Sequence, residues 1–291
     1  MKAAGRHGTS TLIFLLPWIL TFAIFSLYPL LTSLWTSFLH YRIVDAAPPR
    51  FVGFDNYVRL SKDPLFWKSL VNTLIFVVGT IPLTTVGALL IAVGLNRRLP
   101  LRGLFRAGYF MPTIVSIVVV ALIFKNFYSP FGFLNAMFRV VGLEGHPWLQ
   151  DPNTALAAIM VMDVWAALGY YAIIYLAGLQ AIPAELYEAA ELDGASGWHN
   201  LLHITLPLLK STTLFILVIN TIRSFQVFIE IFVMTRGGPL NSTLTSVYYL
   251  YDRAFTGFEL GYASALAYVL FAVTLGASAV YVRFLRGKEA A

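Results

Sequence analysis

The sequence predicts an all-α membrane protein: six transmembrane helices, with a cytoplasmic helical loop between the fourth and fifth. Three observations carry that prediction. Of 291 residues, 58% are hydrophobic and only 12% charged, with mean hydropathy +0.75, whereas a soluble domain averages about 25% charged residues. The apolar residues gather into six runs, each long enough for the roughly 20 residues that a spanning helix needs. Lys and Arg flank those runs instead of forming a patch, so the net charge of +6 gives no argument for a nucleic-acid partner.

The elements follow in order. Lys2 and Arg6 lie in a short N-terminus, residues 1–11, ahead of an apolar run over 12–36. A secretory signal has an apolar core of about 7–15 residues and a small-residue cleavage site. This run is longer and no such site follows, so it reads as an uncleaved first span. Residues 40–68 are polar, hold Pro48-Pro49 and Gly53-Phe54-Asp55-Asn56-Tyr57, and read as a structured external loop. Span two covers 70–95, mildly broken by Gly79 and Pro82. The next loop is short and holds Arg97, Arg98, Arg102 and Arg106, a density that places it on the cytoplasmic side. Counted over the whole chain, Lys and Arg divide almost evenly between the two sides, so the density in this loop and at the termini sets the orientation.

Span three covers 107–127, with Pro112 near its start. An external loop with Pro130, Gly132, Pro147 and Trp148 leads to span four, 154–181. Span five covers 208–235 and ends at an external turn, Gly237-Gly238-Pro239. Span six covers 263–285 and is closed by Arg283, Arg286 and Lys288, with a tail at 286–291. Six spans put both termini on the cytoplasmic side. The absence of cysteine excludes a disulfide framework and a thiolate metal site.

Residues 183–210 interrupt the apolar pattern between spans four and five. Their chemistry predicts two short helices and a hinge. Pro183 suits a helix start, having no N–H to leave unpaired. Glu185 and Glu188 then lie near the positive end of the helix dipole. Gly194 suits the left-handed conformation that closes a helix, Ser196 can cap the next one, and Pro207 ends or kinks it. Ala189, Ala190, Gly194 and Ala195 keep the bend slim enough for a partner's backbone to approach.

Three charged residues fall inside spans away from their ends: Asp163, Arg223 and Glu230. Each costs about 2.5–3.5 kcal/mol or more at the bilayer centre, so each should face the bundle interior or a cavity. Counting from the external ends, Asp163 and Arg223 both lie roughly 13–17 Å deep, which permits a pair across spans four and five. Glu230 shares a face with Arg223 but lies about 10 Å away along the axis, which disfavours that pair. Asn220, Arg223 and Ser224 fall on one helical face by their i, i+3, i+4 spacing. Two uses remain open for them: bonding between neighbouring helices, or lining a mid-membrane path. Asp163 and Tyr170 could add a carboxylate and an aromatic face to such a path, a combination that suits sugars; Tyr171 reads as a packing residue.

Several motifs are missing. No Gly-x-x-x-x-Gly-Lys-Ser/Thr phosphate loop is present, so the chain should not bind ATP itself. His199 and His203 have i, i+4 spacing but no third ligand is apparent, and no metal site is predicted. No Gly-x-Ser-x-Gly or His-Glu-x-x-His constellation supports a membrane enzyme.

The order Glu188-Ala189-Ala190, Asp193-Gly194-Ala195, then Ile204-Thr205-Leu206-Pro207 resembles the EAA loop of bacterial ABC-importer permeases. Phe232 to Pro239, with the Gly237-Gly238-Pro239 turn and Asn241-Ser242-Thr243, is similar to the external turn of the carbohydrate-type branch. Gly53 to Tyr57, Asn72-Thr73, Tyr248 to Phe255 and Gly261 to Leu266 extend the likeness over most of the chain. The resemblance implies a six-span transmembrane domain over 12–285 in the bacterial inner membrane. It implies a second homologous permease, two copies of an ATPase that hold ATP and Mg, and an external solute-binding protein. Cargo would be a sugar or sugar-like solute, such as an oligosaccharide or a glycerol phosphate. Glu188, Ala189, Ala190, Asp193, Gly194 and Ala195 match its ATPase-docking motif, and Asn220 and Ser224 match path-lining positions. Arg223 departs from that pattern; it suits an anionic substrate or pairs with Asp163. An ion-coupled secondary transporter, using Asp163, Arg223 and Glu230, is the alternative.

Overall fold

A computed structural model of the chain describes residues 14–45, 47–96 and 102–286. The N-terminal segment 1–11, Arg97 and Arg98 of the arginine loop, and Lys288 of the tail lie outside the described residues. Among the described residues, five helices are long and apolar enough to cross a membrane: Phe14–Ser37 (α1), Pro64–Asn96 (α3), Ala155–Gln180 (α7), Lys210–Met234, and Leu260–Val280. A pair of helices bent by 97°, Gly103–Ile114 and Ile117–Phe127, makes a sixth if the two are counted as one broken span. The chain divides into two compact units, one running to Asp63 and including Leu250–Leu270, the other formed by Pro64–Tyr249 and the chain beyond Phe271.

In the first unit α1 contains a π-helical turn at Ala23–Leu27. Most of its large apolar side chains, Trp18, Phe25 and Trp35 among them, are exposed, as suits a helix with lipid for its solvent. The polar stretch after it is folded. Strands β1 (Leu39–His40) and β2 (Arg50–Phe51) pair antiparallel, and a short helix, α2 (Asp55–Ser61), follows. Buried Asn56 donates to the carbonyls of Ser37 and Leu39. Arg59 forks onto Glu259 at 2.8 and 3.1 Å and lies over the Tyr262 ring. Gly261 has to be glycine: a Cβ there would stand 2.0 Å from the Leu39 carbonyl oxygen.

The second unit is built on α3 and α7. Helix α3 starts at Pro64, so Lys68 belongs to the helix and not to the preceding loop, and it runs through Pro82 without ending. Small residues let α3 and α7 approach: a Cβ on Gly79 would stand 1.9 Å from the Met160 methyl, and one on Gly87 would stand 2.7 Å from Leu168. Ala88, Ala92, Tyr171 and Tyr175 form one core cluster; Phe76, Ile159, Met162 and Ile231 belong to another.

The third span differs from the expected single helix over 107–127. It is two helices, α4 (Arg102–Ile114) and α5 (Ile117–Phe127). Pro112 lacks the N–H that would close the turn and weakens the end of α4. Ser116 then takes an extended backbone as the N-cap of α5, its carbonyl accepting from Val119 and Val120. Helix α6 (Phe133–Val140) follows in the connecting loop, where Asn135 bonds Ser129, His146 and Trp148 through both ends of its amide.

Candidate functional site

Three places bring predicted residues together. The first is segment 183–210. Helix α8 (Ala184–Leu192) has Pro183 as its N-cap, so it begins one position after the expected start, with Glu185 in its first turn. Its end is a Schellman closure: Gly194, at φ +76°, donates to the Glu191 carbonyl, and Ala195 donates to that of Ala190. Ser196 caps helix α9 (Gly197–Asn200), its hydroxyl accepting from the N–H of His199. The chain then widens into a π-helical turn, Leu201–Thr205, before Pro207. Buried Thr205 bonds Tyr187 at 2.9 Å and donates to the Asn200 carbonyl, tying α8 to this turn. Tyr187 carries no signal in the sequence; the bond joins residues remote along the chain. Outward, Glu188, Ala189, Glu191, Asp193 and Gly194 are exposed. So are two large apolar side chains, Leu192 at 90% and Trp198 at 68%. His199 and His203 stack ring on ring. Among the described residues no three His, Cys, Asp or Glu side chains group to hold a metal.

The second place is a cavity of about 600 Å³ beside the fifth span. That span is not one continuous helix. Helix α10 (Lys210–Phe225) stops, and α11 (Ile229–Met234) restarts after Gln226, Val227 and Phe228. Arg223 Nη2 stands 2.7 Å from Asp163 Oδ1 of α7 and 3.9 Å from Glu230 Oε1. The second contact differs from the expectation, which disfavoured an Arg223–Glu230 pair. The 10 Å rise assumes an unbroken helix, and here the helix breaks between the two residues while the long arginine side chain spans the rest. Asp163 and Glu230 are almost wholly buried, at 4% and 9%, and Arg223 is half-buried. Ser224 lines the cavity and lies 3.4 Å from Thr80 of α3. Asn220 is buried and accepts from Ser224, with its amide nitrogen unpaired among the described residues. Tyr170 is exposed and lines a smaller cavity next to Arg223, Tyr171 and Pro112.

The third place is the turn after α11. Arg236, Gly237, Leu240 and Asn241 all have positive φ, and the Gly238–Pro239 peptide is cis. Thr243, fully buried, donates to the Gly238 carbonyl and bonds Thr235, both at 2.7 Å. Asn72 of α3 donates to the carbonyls of Asn241 and Leu244, and Thr73 accepts from the N–H of Ser246. In the sequence, only likeness to other chains marks these two residues. A cavity of about 500 Å³ borders this turn, lined by Tyr128, Gln150 and Pro239 among others. Burial pushes the Tyr128 phenol up to about 12, so it stays a neutral hydroxyl there.

Apolar helices around buried charges define a multi-pass integral membrane protein. Residues 66–287 match the family described as binding-protein-dependent transport system inner membrane component, and the chain belongs to that family. It is 35% identical to the sulfoquinovosyl glycerol transport system permease protein SmoG of Agrobacterium fabrum, over 95% of this chain and 90% of that one. It is 37% identical to the lactose transport system permease protein LacF of Rhizobium radiobacter, over 95% and 93%. The structure is similar to a chain of a bacterial ABC transporter that imports the acidic polysaccharide alginate, with TM-score 0.82 and 26% identity over 97% of this chain and 96% of that one. A second structure of the alginate transporter, in complex with its periplasmic protein holding an alginate pentasaccharide, gives TM-score 0.83 and 25% identity over 95% and 93%.

Proposed function

We propose that this chain is one of two homologous permease subunits of an ATP-driven importer in the bacterial inner membrane, and that it carries a sugar or sugar-like solute. The observation that supports this best is the exposed, internally fastened pair of helices at 183–210, in a chain whose relatives are named as sugar permeases. Glu188, Ala189, Ala190, Asp193, Gly194 and Ala195 dock on a cytoplasmic ATPase, present in two copies. The Schellman closure and the Tyr187–Thr205 bond hold the two helices as a rigid lever. Leu192 and Trp198 give the lever an apolar tip of the kind that buries well in a partner.

The transmembrane domain is 12–285, with both termini cytoplasmic, the turn at Gly237, Gly238 and Pro239 external, and lipid against the exposed apolar faces. A solute-binding protein delivers cargo to the external side. ATP and Mg stay with the partner ATPases, and this chain does no catalysis of its own. ATP-driven closure of the ATPases moves the lever, and the spans pass from inward-open to outward-open. The path runs by Asp163, Arg223, Ser224 and the neighbouring Asn220 and Tyr170. Neither the family nor its members favours the ion-coupled reading.

Purification of the tagged chain in mild detergent, with mass spectrometry of what accompanies it, tests the proposal. Recovery of an ATPase and a second permease is the expected result. Recovery of the chain alone, folded, would sink it.

A further inference from the structure

We infer that the cavity at the break in the fifth span takes neutral glycosides and turns away anionic ones, with Asp163 and Glu230 setting that preference by cancelling Arg223. The inference rests on the importer reading above. Arg223 is the one cation lining this cavity of about 600 Å³ among the described residues. Alone it would attract a phosphate, sulfonate or carboxylate. It is not alone: Asp163 holds it at 2.7 Å, and Glu230 stands at 3.9 Å. With both carboxylates ionised the three groups sum to minus one; with Glu230 protonated they sum to zero. Neither state is positive.

An anion entering the cavity meets an Arg223 whose charge Asp163 already balances, and it must approach the Asp163 and Glu230 carboxylates that stand beside that arginine. A sugar hydroxyl has no such conflict. It donates to a carboxylate oxygen that still has lone-pair capacity, and the ion pair survives. Ser224 and Gln226 add neutral polar groups, and Phe228 adds aromatic surface for the apolar face of a sugar ring. The volume falls within the range of about 300–1,000 Å³ usual for small-ligand sites. The site thus differs in electrostatic demand from what an acidic polysaccharide requires, although the fold is shared with an alginate importer.

The test uses the whole complex that accompanies the chain, trapped with ATP and vanadate in nanodiscs. Equilibrium binding of radiolabelled trehalose and of trehalose 6-phosphate is measured, two probes that differ only in the phosphate. Trehalose should bind at least tenfold tighter. The double variant Asp163→Asn, Glu230→Gln makes the cavity positive and should lower that ratio tenfold or more. Equal or tighter binding of the phosphate by the wild type overturns the inference, as does an unchanged ratio in the double variant. Should that variant not assemble, the wild-type ratio decides alone. Binding of neither probe by a complex that still hydrolyses ATP removes the cavity from the path while leaving the importer reading in place. A chain that recruits no ATPase overturns the importer reading itself.

Discussion

The hydroxyls of Tyr187 and Thr205 meet at 2.9 Å, joining α8 to the π-helical turn behind α9. Without that bond the exposed helix would be held mainly by its two ends. The bond is between neutral groups, and Thr205 keeps its second bond to Asn200. Its loss in Tyr187→Phe should therefore cost about 1 kcal/mol. The expected result is amide exchange in α8 faster by roughly fivefold, with α7 unchanged, since local opening reports local stability. Unaltered exchange in α8 would show that the bond fastens nothing.

Gly194→Ala tests the hinge by conformation alone. A Cβ at this position would meet nothing within 4 Å, yet the backbone has φ +76°. The cost is then that of the left-handed conformation, about 1–2 kcal/mol. Thermal unfolding of the spans should hardly move, while recovery of the ATPase with the chain falls. Gly194→Asn should sit between the two, because asparagine tolerates that conformation better. An alanine variant that recovers the ATPase in full would leave the hinge geometry without a role.

Much of the architecture is legible in the sequence, because lipid demands long apolar runs and the chain has them. Gly194 and Ser196 are legible too, since caps act within a few residues. The contact of Arg223 with Glu230 is not, because Gln226-Val227-Phe228 holds neither proline nor glycine to announce a break. Pro112 is visible as a breaker, but the 97° bend depends on the extended backbone at Ser116. Asn72 and Thr73 gain meaning only once residues 241–246 return to α3, some 170 positions along the chain.

Gly169 marks where α7 crosses α4 most tightly. An added Cβ would stand 1.9 Å from the Tyr109 carbonyl oxygen, and backbone cannot yield as a side chain can. Gly169→Ala should lower the unfolding midpoint in detergent by several degrees, or abolish monodisperse expression. Gly103→Ala is the control: it lies in α4, with nothing within 4 Å of its Cβ, and should be neutral or stabilising by about 0.5–1 kcal/mol. Identical behaviour of the two variants would refute the close crossing.

Glu188→Arg reverses a charge on the exposed face of α8. Glu188 makes no ion pair within the chain among the described residues, so the spans should fold as before. Attachment or coupling to the ATPase should weaken, read as loss of ATPase from the purified complex or as transport lowered at equal expression. Full transport by this variant would count heavily against the docking role of Glu188-Ala189-Ala190.

Asn220→Leu separates the two uses left open for the polar face of the fifth span. The residue is 1% exposed, and its amide nitrogen has no partner among the described residues. Replacing it by an apolar side chain of similar size removes an unpaired donor, a change that is close to neutral for stability. Ser224 retains its contact with Thr80, so α10 should stay packed against α3. The expected outcome is a complex that assembles and hydrolyses ATP but moves its cargo differently, with altered KM or rate in proteoliposomes. Loss of assembly would instead make Asn220 a bond between helices and would take it out of the path.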